Sequence, residues 1–495
     1  MTTRSPWLIL AIVSTALFLI VVDMTVLYTA LPTLTHDLDA TAVEKLWIVN
    51  AYSLTVAGLL PASGALGDRY GHRRMFMIGL VIFGAASLMA GMASSAEMLI
   101  AARAVLAVGA AAMMPATLSI IRQSFDDPDQ RSLAIGVWAA VASGGAALGP
   151  VLGGVILEHF HWGMVFLINL PVVLIALPLA MIYVPRARLD GGHPFDPLGS
   201  VQILVALLGL TLAIKEVAKP EPTWQGFVLP LLVGAAALTL FLRRQIRSAH
   251  PMIDLNLFRD RRFSAGVIGA ISAAAALMGM ELVITQRLQL VSELSPLQAG
   301  LFILPIPLAS FIAGPVAGMA LSRVDAGRLM TLALAATGLG AIIYTASFDG
   351  AVPLQLLAFA IMGAGIGATM TAASSAIMMN APANRAGMAA SVEEVSYELG
   401  GALGIALLGS LMSGVYTATY LAGGDAAPAL AADSLDQARL VAESLPVAEA
   451  RQVIGAGIAA FDRSVLVVMI ASTTVLVAAS LWIGRLSRRM VGLRA

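Results

Sequence analysis

A short charged segment near the start of the chain separates two long apolar stretches. It reads Gly67-Asp68-Arg69-Tyr70-Gly71-His72-Arg73-Arg74. The flanking stretches cover residues 46–66 and 74–94. Each has roughly the 20 mainly apolar residues that an α-helix needs to cross a bilayer, and the two glycines allow a tight turn between such helices. The pattern predicts two transmembrane helices joined by a short basic loop.

Twelve further apolar stretches of similar length repeat this pattern along the chain. They lie near residues 7–30, 97–119, 133–156, 163–184, 198–217, 226–242, 263–286, 298–320, 329–347, 352–374, 391–414 and 464–484. Hydrophobic residues make up 59% of the chain and charged residues only 12%, which is about half the charged fraction of a soluble domain. Such a surface must face lipid. We therefore predict an all-α integral membrane protein with about 14 transmembrane spans.

The basic residues are divided unevenly between the two sides of the predicted bundle. If the chain starts in the cytoplasm, 21 of the 29 lysines and arginines fall in cytoplasmic segments. Seven fall on the opposite side, and Arg103 lies within a span. Because positive charge is enriched in cytoplasmic loops, we expect both termini in the cytoplasm and hence an even number of spans.

An internal repeat appears at a single offset of 254 residues. It places Arg69 on Arg323, Arg74 on Arg328, Arg131 on Arg385 and Gly109 on Gly363. Two repeats of six spans leave enough chain for two more helices between them, and secondary transporters often consist of such repeated halves. We predict a six-helix half over 1–190, an inserted helix pair over 191–260, and a second six-helix half over 261–495.

The longest polar connection, residues 415–463, is predicted to lie outside the cell. Ser434-Leu435-Asp436-Gln437 has the form of a capping box that starts a helix, and Pro446 would interrupt that helix. We expect a short helical hairpin over the outer mouth, which either gates transport or only decorates the surface.

Composition and motifs argue against enzymatic and nucleic-acid-binding functions. Acidic and basic residues are equal at 29 each, so no net charge favours nucleic acid. The chain has no cysteine, and its six histidines do not have metal-ligand spacing. It lacks a phosphate-binding Gly-x-x-x-x-Gly-Lys-Ser/Thr loop. The dinucleotide-like pattern at 363–368 lies inside an apolar span, where glycines serve packing.

Three motifs make the chain resemble the major facilitator superfamily. Segment 67–74 looks like the signature loop between its second and third spans. In span five, Ala146-Ala147-Leu148-Gly149-Pro150-Val151-Leu152-Gly153-Gly154 looks like its antiporter motif. In span one, Val22-Asp23-Met24-Thr25-Val26-Leu27-Tyr28-Thr29-Ala30-Leu31-Pro32 resembles the motif of its fourteen-span drug:proton antiporters. Within that group the chain looks most like the quaternary-ammonium and methyl-viologen exporters.

This resemblance implies a 6 + 2 + 6 fold in a bacterial cytoplasmic membrane. It also implies proton-coupled export of lipophilic cationic small molecules by alternating access. The expected partners are these cations, protons and the lipid bilayer, with no cofactor, no metal, no nucleic acid and no obligate protein partner. Two alternatives remain open: a transporter of one specific metabolite with the same fold, and a membrane receptor or scaffold that transports nothing.

Acidic residues within the predicted spans are the candidate proton- and cation-binding groups. They are Asp23 in span one, Glu281 in span nine, and Glu393, Glu394 and Glu398 in span thirteen. An ionised group near the bilayer centre costs on the order of 3 kcal/mol, so it normally faces a cavity or a partner. A carboxyl group sheltered from water can hold a proton or pair with a cation. Because a proton and a cation would compete for the same carboxyl group, the movement of one would be coupled to the movement of the other.

Each of these acids also has a structural alternative. Asp23 could pair helices, and Glu393 and Glu394 could offset the dipole at a helix start. Glu281 could pair with Arg287. Arg103 matches a basic position that the superfamily links to proton transfer, so we expect it to tune the acids. Its alternative is a buried structural pair with one of them.

Two further groups of residues are predicted to serve the conformational change. A cytoplasmic latch, in which an acid and arginines join two helices in one state only, comprises Gly67, Asp68, Arg69, Gly71, Arg73 and Arg74. The antiporter motif supplies a small helix face and a proline, namely Gly145, Gly149, Pro150, Gly153 and Gly154. Small faces let helices approach closely, so ordinary tight packing is the alternative explanation for this motif.

Aromatic and methionine side chains are candidates to line a permissive pocket. Tyr28, Tyr52, Trp138 and Tyr397 could cover the face of a cation, and Met24, Met113, Met114, Met278 and Met280 offer adaptable surface.

Overall fold

The computed structural model describes residues 5–186, 196–217, 223–248, 251–348, 350–422 and 429–491. Over these residues it contains 14 helices long and apolar enough to cross a membrane. They are, as spans 1–14, Pro6–Asp37, Glu44–Tyr70, His72–Gly91, Ala96–Ser124, Pro128–His159, Met164–Tyr183, Pro197–Val217, Trp224–Arg247, Arg261–Leu290, Leu297–Ala320, Ala326–Ser347, Val352–Asn380, Ala383–Ala422 and Val447–Ser487. The predicted all-α class and the number of spans are confirmed.

Several helices extend well beyond the apolar stretches that predicted them. Span 1 continues to Asp37, and the last helix begins at Val447 rather than near residue 464. A helix satisfies its own backbone hydrogen bonds in water as well as in lipid. The apolar stretch therefore marks only the part in hydrocarbon, and its ends do not fix the ends of the helix.

Two spans are interrupted where a proline removes a backbone donor. Span 6 consists of Met164–Leu167 and Asn169–Tyr183, and span 10 consists of Pro296–Ile303 and Pro305–Ala320. Because a proline nitrogen cannot continue the ladder of hydrogen bonds, the helix is readily broken in the preceding turn. The break in span 6 matters for the site, since Asn169 lies directly after it.

The buried side chains form two large clusters and one small one. The first large cluster comes mainly from spans 1–6 and the second from spans 9–14. The small cluster joins spans 7 and 8 with Met252. The predicted boundary at residue 190 lies outside the described residues, and the division into three domains stays a prediction.

The two ends of the bundle differ in their loops. We call the end with loop 67–74 the arginine-rich face; span 1 begins and span 14 ends there. At the opposite face, helix Leu435–Glu443 packs against Gly457 at the start of span 14, forming a helical hairpin. Ser434 caps this helix by accepting the N–H of Gln437 at 3.2 Å.

The described contacts of this hairpin attach it to the second half of the chain, and its position over the outer mouth stays a prediction. Arg439 donates to the Glu293 carboxylate at 3.0 Å, after span 9, and Tyr416 of span 13 donates to the Ala431 carbonyl at 3.1 Å. These described contacts all belong to the second half of the chain. They attach the hairpin to that half.

Candidate functional site

A buried ion pair lies at the centre of the first half. Arg103 Nη1 of span 4 lies 2.7 Å from Asp23 Oδ2 of span 1, with 2% and 0% of the two side chains exposed. Arg103 also donates through Nε to the Ile48 carbonyl of span 2 at 3.3 Å, and its guanidinium lies 4.3 Å from the centre of the Tyr52 ring. The structural alternative for Arg103, a pair with one of the acids, is therefore realised; its role in tuning stays a prediction.

Asn169 supplies the second contact of the Asp23 carboxylate. Its Nδ2 donates to Asp23 Oδ1 at 2.9 Å and lies 3.1 Å from Ser87 Oγ of span 3. The break in span 6 brings Asn169 to this position. The Asp23 carboxylate thus joins spans 1, 4 and 6. A change in its charge would alter the contacts between all three spans.

The negative charges of the acids in span 13 are offset by fewer polar and charged neighbours than that of Asp23. Glu393 has no exposed surface, and among the described residues no cation pairs with its carboxylate; the hydroxyls of Ser374 and Tyr397 lie beside it but outside hydrogen-bond geometry. Glu394 is 4% exposed, and its Oε1 likewise lacks a partner there. Glu398 is only partly buried. The hydroxyl of Thr371 in span 12 is also buried without a hydrogen-bond partner within the described chain, and that of Ser374 lies beside Glu393.

Two tyrosines of the first half lie near both the buried Asp23–Arg103 pair and acids of the second half. Tyr28 of span 1, with 62% of its surface exposed, lies within electrostatic reach of Arg103, Glu398 and Glu281. Tyr52, beneath the Arg103 guanidinium, is within reach of both Asp23 and Glu398. The tertiary structure therefore places Glu281 and Glu398 around the space at Tyr28, with the Asp23–Arg103 pair enclosed next to it beside Tyr52. We call this space the central site.

The alternative pairing of Glu281 with Arg287 is not formed. Arg287 Nε lies 2.9 Å from Asp462 Oδ1 of span 14, and its guanidinium covers the Phe348 ring at 4.1 Å. Arg287 thus joins spans 9 and 14, and Glu281 lies within electrostatic reach of Tyr28.

The predicted latch joins the halves, but through different atoms from those expected. Asp68 accepts the backbone N–H groups of Gly387 and Met388, at 2.7 and 2.9 Å, at the start of span 13. His72 Nε2 lies 3.2 Å from the same carboxylate. The expected pairing of Asp68 with arginines is corrected, because unsatisfied N–H groups at a helix start attract a carboxylate.

The remaining residues of the latch shape the turn and anchor it to its own half. Gly71 has φ 95°, a conformation that L side chains rarely adopt. Arg73 donates to the Met181 carbonyl of span 6, Arg69 lies 5.2 Å from the centre of the Tyr70 ring, and Arg74 is exposed. Gly67 packs against His72.

The halves also meet at two other places near the arginine-rich face. Arg122 of span 4 donates to the Ala381 carbonyl, directly after span 12, where a positive charge complements the helix dipole. Spans 5 and 10 touch backbone to backbone: a Cβ on Gly136 would lie 2.4 Å from the Gly314 oxygen. Nearer the centre, the Ser143 and Ser310 hydroxyls are 2.8 Å apart. These contacts close the arginine-rich face.

The antiporter motif of span 5 packs onto the span 1 motif. Gly145 contacts Val21, Gly149 contacts Thr25, and Gly153 contacts Thr29. The helix continues unbroken through Pro150, which is exposed. Gly154 departs from the prediction, because a Cβ there would meet nothing within 4 Å. It lies one residue round the helix from Gly153 and off the packed face.

This difference within one motif gives a matched pair of variants. Gly149→Ala would place a Cβ 1.8 Å from Thr25 Oγ1, and we expect a loss of about 1–3 kcal/mol of stability from overpacking. Gly154→Ala should leave transport unchanged and should not lower stability, because its Cβ meets nothing and alanine favours a helix more than glycine does. Thermal unfolding of both variants in one detergent measures the difference, and equal midpoints would contradict the described packing of spans 1 and 5.

The internal repeat is only partly reflected in packing. Gly109 packs against Gly79 and Phe83 of span 3, whereas Gly363 packs against Ile306 of span 10. These two glycines match in sequence but serve different interfaces. Arg131 and Arg385 both lie at the start of a span, but their contacts differ. Arg131 Nε donates to the Phe125 carbonyl at 2.9 Å, whereas Arg385 lies 3.7 Å from the Asp254 carboxylate.

Sequence reasoning missed Asn169, Ser87 and Lys215. Uncharged polar residues are common in spans, so nothing distinguished Asn169 or Ser87 before their contacts were known. Lys215 lies near the end of span 7, and its Nζ donates to Asn50 Oδ1 at 2.5 Å. Of the aromatic candidates, Trp138 is buried and donates to Thr117 Oγ1 at 3.1 Å, so it packs within its own half.

Fourteen spans, two clusters of buried side chains and intramembrane acids between them define a secondary-transporter architecture. The sequence model of the Major Facilitator Superfamily matches residues 13–405. The chain belongs to this superfamily and is a membrane transporter.

Curated relatives match over nearly the whole chain. The methyl viologen resistance protein SmvA of Salmonella typhimurium strain LT2 is 40% identical over 489 residues, covering 96% of this chain and 97% of that protein. The multidrug efflux pump LfrA of Mycolicibacterium smegmatis is 38% identical over 499 residues, covering 99% and 98%. The solved human organic anion transporter MFSD10 has a TM-score of 0.62 at 14% identity, covering 95% of this chain and 99% of that one. This last likeness concerns the fold alone.

Proposed function

We propose that this protein is a proton-coupled efflux antiporter for lipophilic and quaternary-ammonium cations in a bacterial cytoplasmic membrane. The names of the relatives SmvA and LfrA support export of such compounds. The excess of arginines supports a cytoplasmic position for the arginine-rich face and both termini.

The observation that carries the proposal is the buried Glu393 carboxyl group, which has no cationic partner among the described residues and only the Ser374 and Tyr397 hydroxyls beside it. An ionised carboxylate that is buried without a counter-ion is strongly disfavoured in apolar surroundings. Glu393 therefore requires either a proton or a cation, and Glu394 beside it adds a second such requirement. A proton and a cationic substrate exclude each other at these acids, which is the minimum that antiport needs.

The closed arginine-rich face identifies the step of the exchange to which this structure belongs, while the proton gradient sets the direction of the exchange. With that face in the cytoplasm, the structure corresponds to an outward-facing state in which Tyr28 and Glu398 are open to the outside. Protons from outside load the acids and release the exported cation. Opening of the Asp68 contacts then exposes the acids to the cytoplasm. Each unbalanced charge moved contributes about 2.3 kcal/mol per 100 mV of membrane potential.

The Asp23–Arg103 pair is proposed to couple proton binding to this motion. When Asp23 gains a proton, Arg103 loses its counter-ion inside the protein, and an unpaired buried charge is costly. The cost is relieved if spans 1 and 4 move so that Arg103 reaches water or another acid, such as Glu398.

The span 13 acids should contribute to substrate charge preference. We expect the double variant Glu394→Gln/Glu398→Gln to lose about tenfold more transport of a dication than of a monocation, because two charges need more compensation than one. Methyl viologen and tetraphenylphosphonium uptake into everted vesicles measures this ratio. Equal losses for both compounds would argue against direct pairing with the substrate.

Purified protein in liposomes tests the function as a whole. An imposed pH gradient should drive ethidium against its own gradient, and collapsing the pH gradient should stop it. Movement in the opposite direction would indicate an importer. No movement of any cation in a folded preparation would favour a specific metabolite transporter or a receptor.

A further inference from the structure

Span 7, which belongs to the predicted inserted pair, contributes a charged group at the edge of the central site. Lys215 Nζ donates to Asn50 Oδ1 at 2.5 Å and to Ser53 Oγ at 3.0 Å, both on span 2. All three side chains are only partly buried. The ammonium group is therefore not fully enclosed by protein.

Span 7 is held against one span of each half. On span 2, a Cβ at Gly58 would lie 2.2 Å from Leu204 Cδ1, which shows close packing. On span 13, Ser410 Oγ donates to the Val217 carbonyl at 3.1 Å. The inserted helix thus lies beside the gap between the halves, and it fixes the position of Lys215 relative to both.

The positive charge of Lys215 interacts with one acid of the central site. Among the described residues no carboxylate lies within ion-pair distance of its Nζ, and its hydrogen-bond partners are neutral. Val395 and Leu399, which flank Glu398 on span 13, pack against the cluster formed by spans 7 and 8, and Glu398 is the acid within electrostatic reach of Lys215. Asp23, by contrast, already pairs with Arg103. Lys215 and a transported cation are therefore drawn to the same carboxylate, Glu398.

We propose that Lys215 is a specificity-determining residue, a tethered cation that shares Glu398 with the substrate and disfavours dications more than monocations. This inference rests on the proposed function. Repulsion between Lys215 and a bound cation is proportional to the charge of that cation. Removing the lysine should therefore shift the logarithm of the affinity about twice as far for a dication as for a monocation.

The test compares Lys215→Gln with wild type in lipid nanodiscs, with tetraphenylphosphonium as monocation and methyl viologen as dication. We expect the Kd of tetraphenylphosphonium to fall about threefold and that of methyl viologen about tenfold, as Coulomb repulsion requires. Lys215→Arg, which keeps the charge, should behave as wild type. Lys45→Gln removes an exposed lysine at the same face and should change neither Kd.

Asn50→Ala separates the charge from a purely structural role. It removes the hydrogen bond to Lys215 but keeps the ammonium, so it should leave the ratio of the two Kd values unchanged. The inference is overturned if Asn50→Ala reproduces the effect of Lys215→Gln, or if Lys215→Gln changes both Kd values by the same factor while wild type still exports both compounds. If wild type neither binds nor exports either cation, the proposed function fails and this inference falls with it.

Discussion

Replacing Asp23 with asparagine is expected to abolish cation export driven by a pH gradient. An amide at this position cannot bind and release a proton, so span 1 loses the group that joins Arg103 and Asn169. The variant also leaves Arg103 buried without a counter-ion, and breaking a buried pair typically costs about 3–5 kcal/mol. Transport in proteoliposomes and thermal unfolding in detergent should therefore both be measured.

A second variant separates coupling from folding. Asp23→Asn/Arg103→Gln removes both charges, so most of the lost stability should return while transport stays at background. Asp37→Asn, at the exposed end of the same helix, is the matched control and should transport as wild type. Transport by the double variant would show that Asp23 serves only to pair spans 1 and 4, and its role in coupling would be rejected.

Replacing Gly387 with alanine is expected to prevent closure of the arginine-rich face. The new Cβ would lie 2.4 Å from the Gly64 oxygen, 2.7 Å from His72 Cε1 and 2.9 Å from Asp68 Oδ1. Backbone and buried ring atoms cannot give way cheaply, and overpacking of this kind costs about 1–3 kcal/mol. Each 1.4 kcal/mol is about a tenfold change in the population of the closed state, so export should fall by about one to two orders of magnitude.

The absence of cysteine from the chain makes this closure directly measurable. Ser391→Cys places one thiol beside Gly64, where it is buried when the face is closed. Labelling by a membrane-impermeant maleimide from the arginine-rich face should be about 10- to 100-fold faster when Gly387→Ala is added. Gly414→Ala on the same helix, where a Cβ meets nothing within 4 Å, should leave the rate unchanged. An unchanged rate with Gly387→Ala would contradict the described seal.

Both predictions depend on contacts between residues far apart in the chain. Asp23 and Arg103 are separated by 80 residues, and Asp68 and Gly387 by 319. The sequence identified Asp23, Arg103 and Asp68 as exceptional, because charge within or beside an apolar span is costly and needs a reason. Which group compensates each charge depends on how each helix is rotated about its axis.

In the antiporter motif, too, the sequence identifies the residues, and only the packing shows what they contact. Glycines at 149 and 154 look equivalent in the sequence, but one lies against Thr25 and the other faces open space. Helix periodicity relates Gly145, Gly149 and Gly153 to one face, so a strict reading of spacing would have set Gly154 apart. Nothing in the spacing, however, indicates that the partner of this face is span 1.

The sequence alone determined the class, the number of spans and the identity of the intramembrane acids. It does so because lipid forces each crossing segment to satisfy its own backbone hydrogen bonds, so length and apolarity of a local stretch suffice. Only the tertiary structure decided that Asp23 is compensated by Arg103 and Asn169, that Glu393 has no cationic partner among the described residues, and that Asp68 binds a helix start. Compensation of a charge is a property of neighbours in space, and helix packing brings those neighbours from distant parts of the chain.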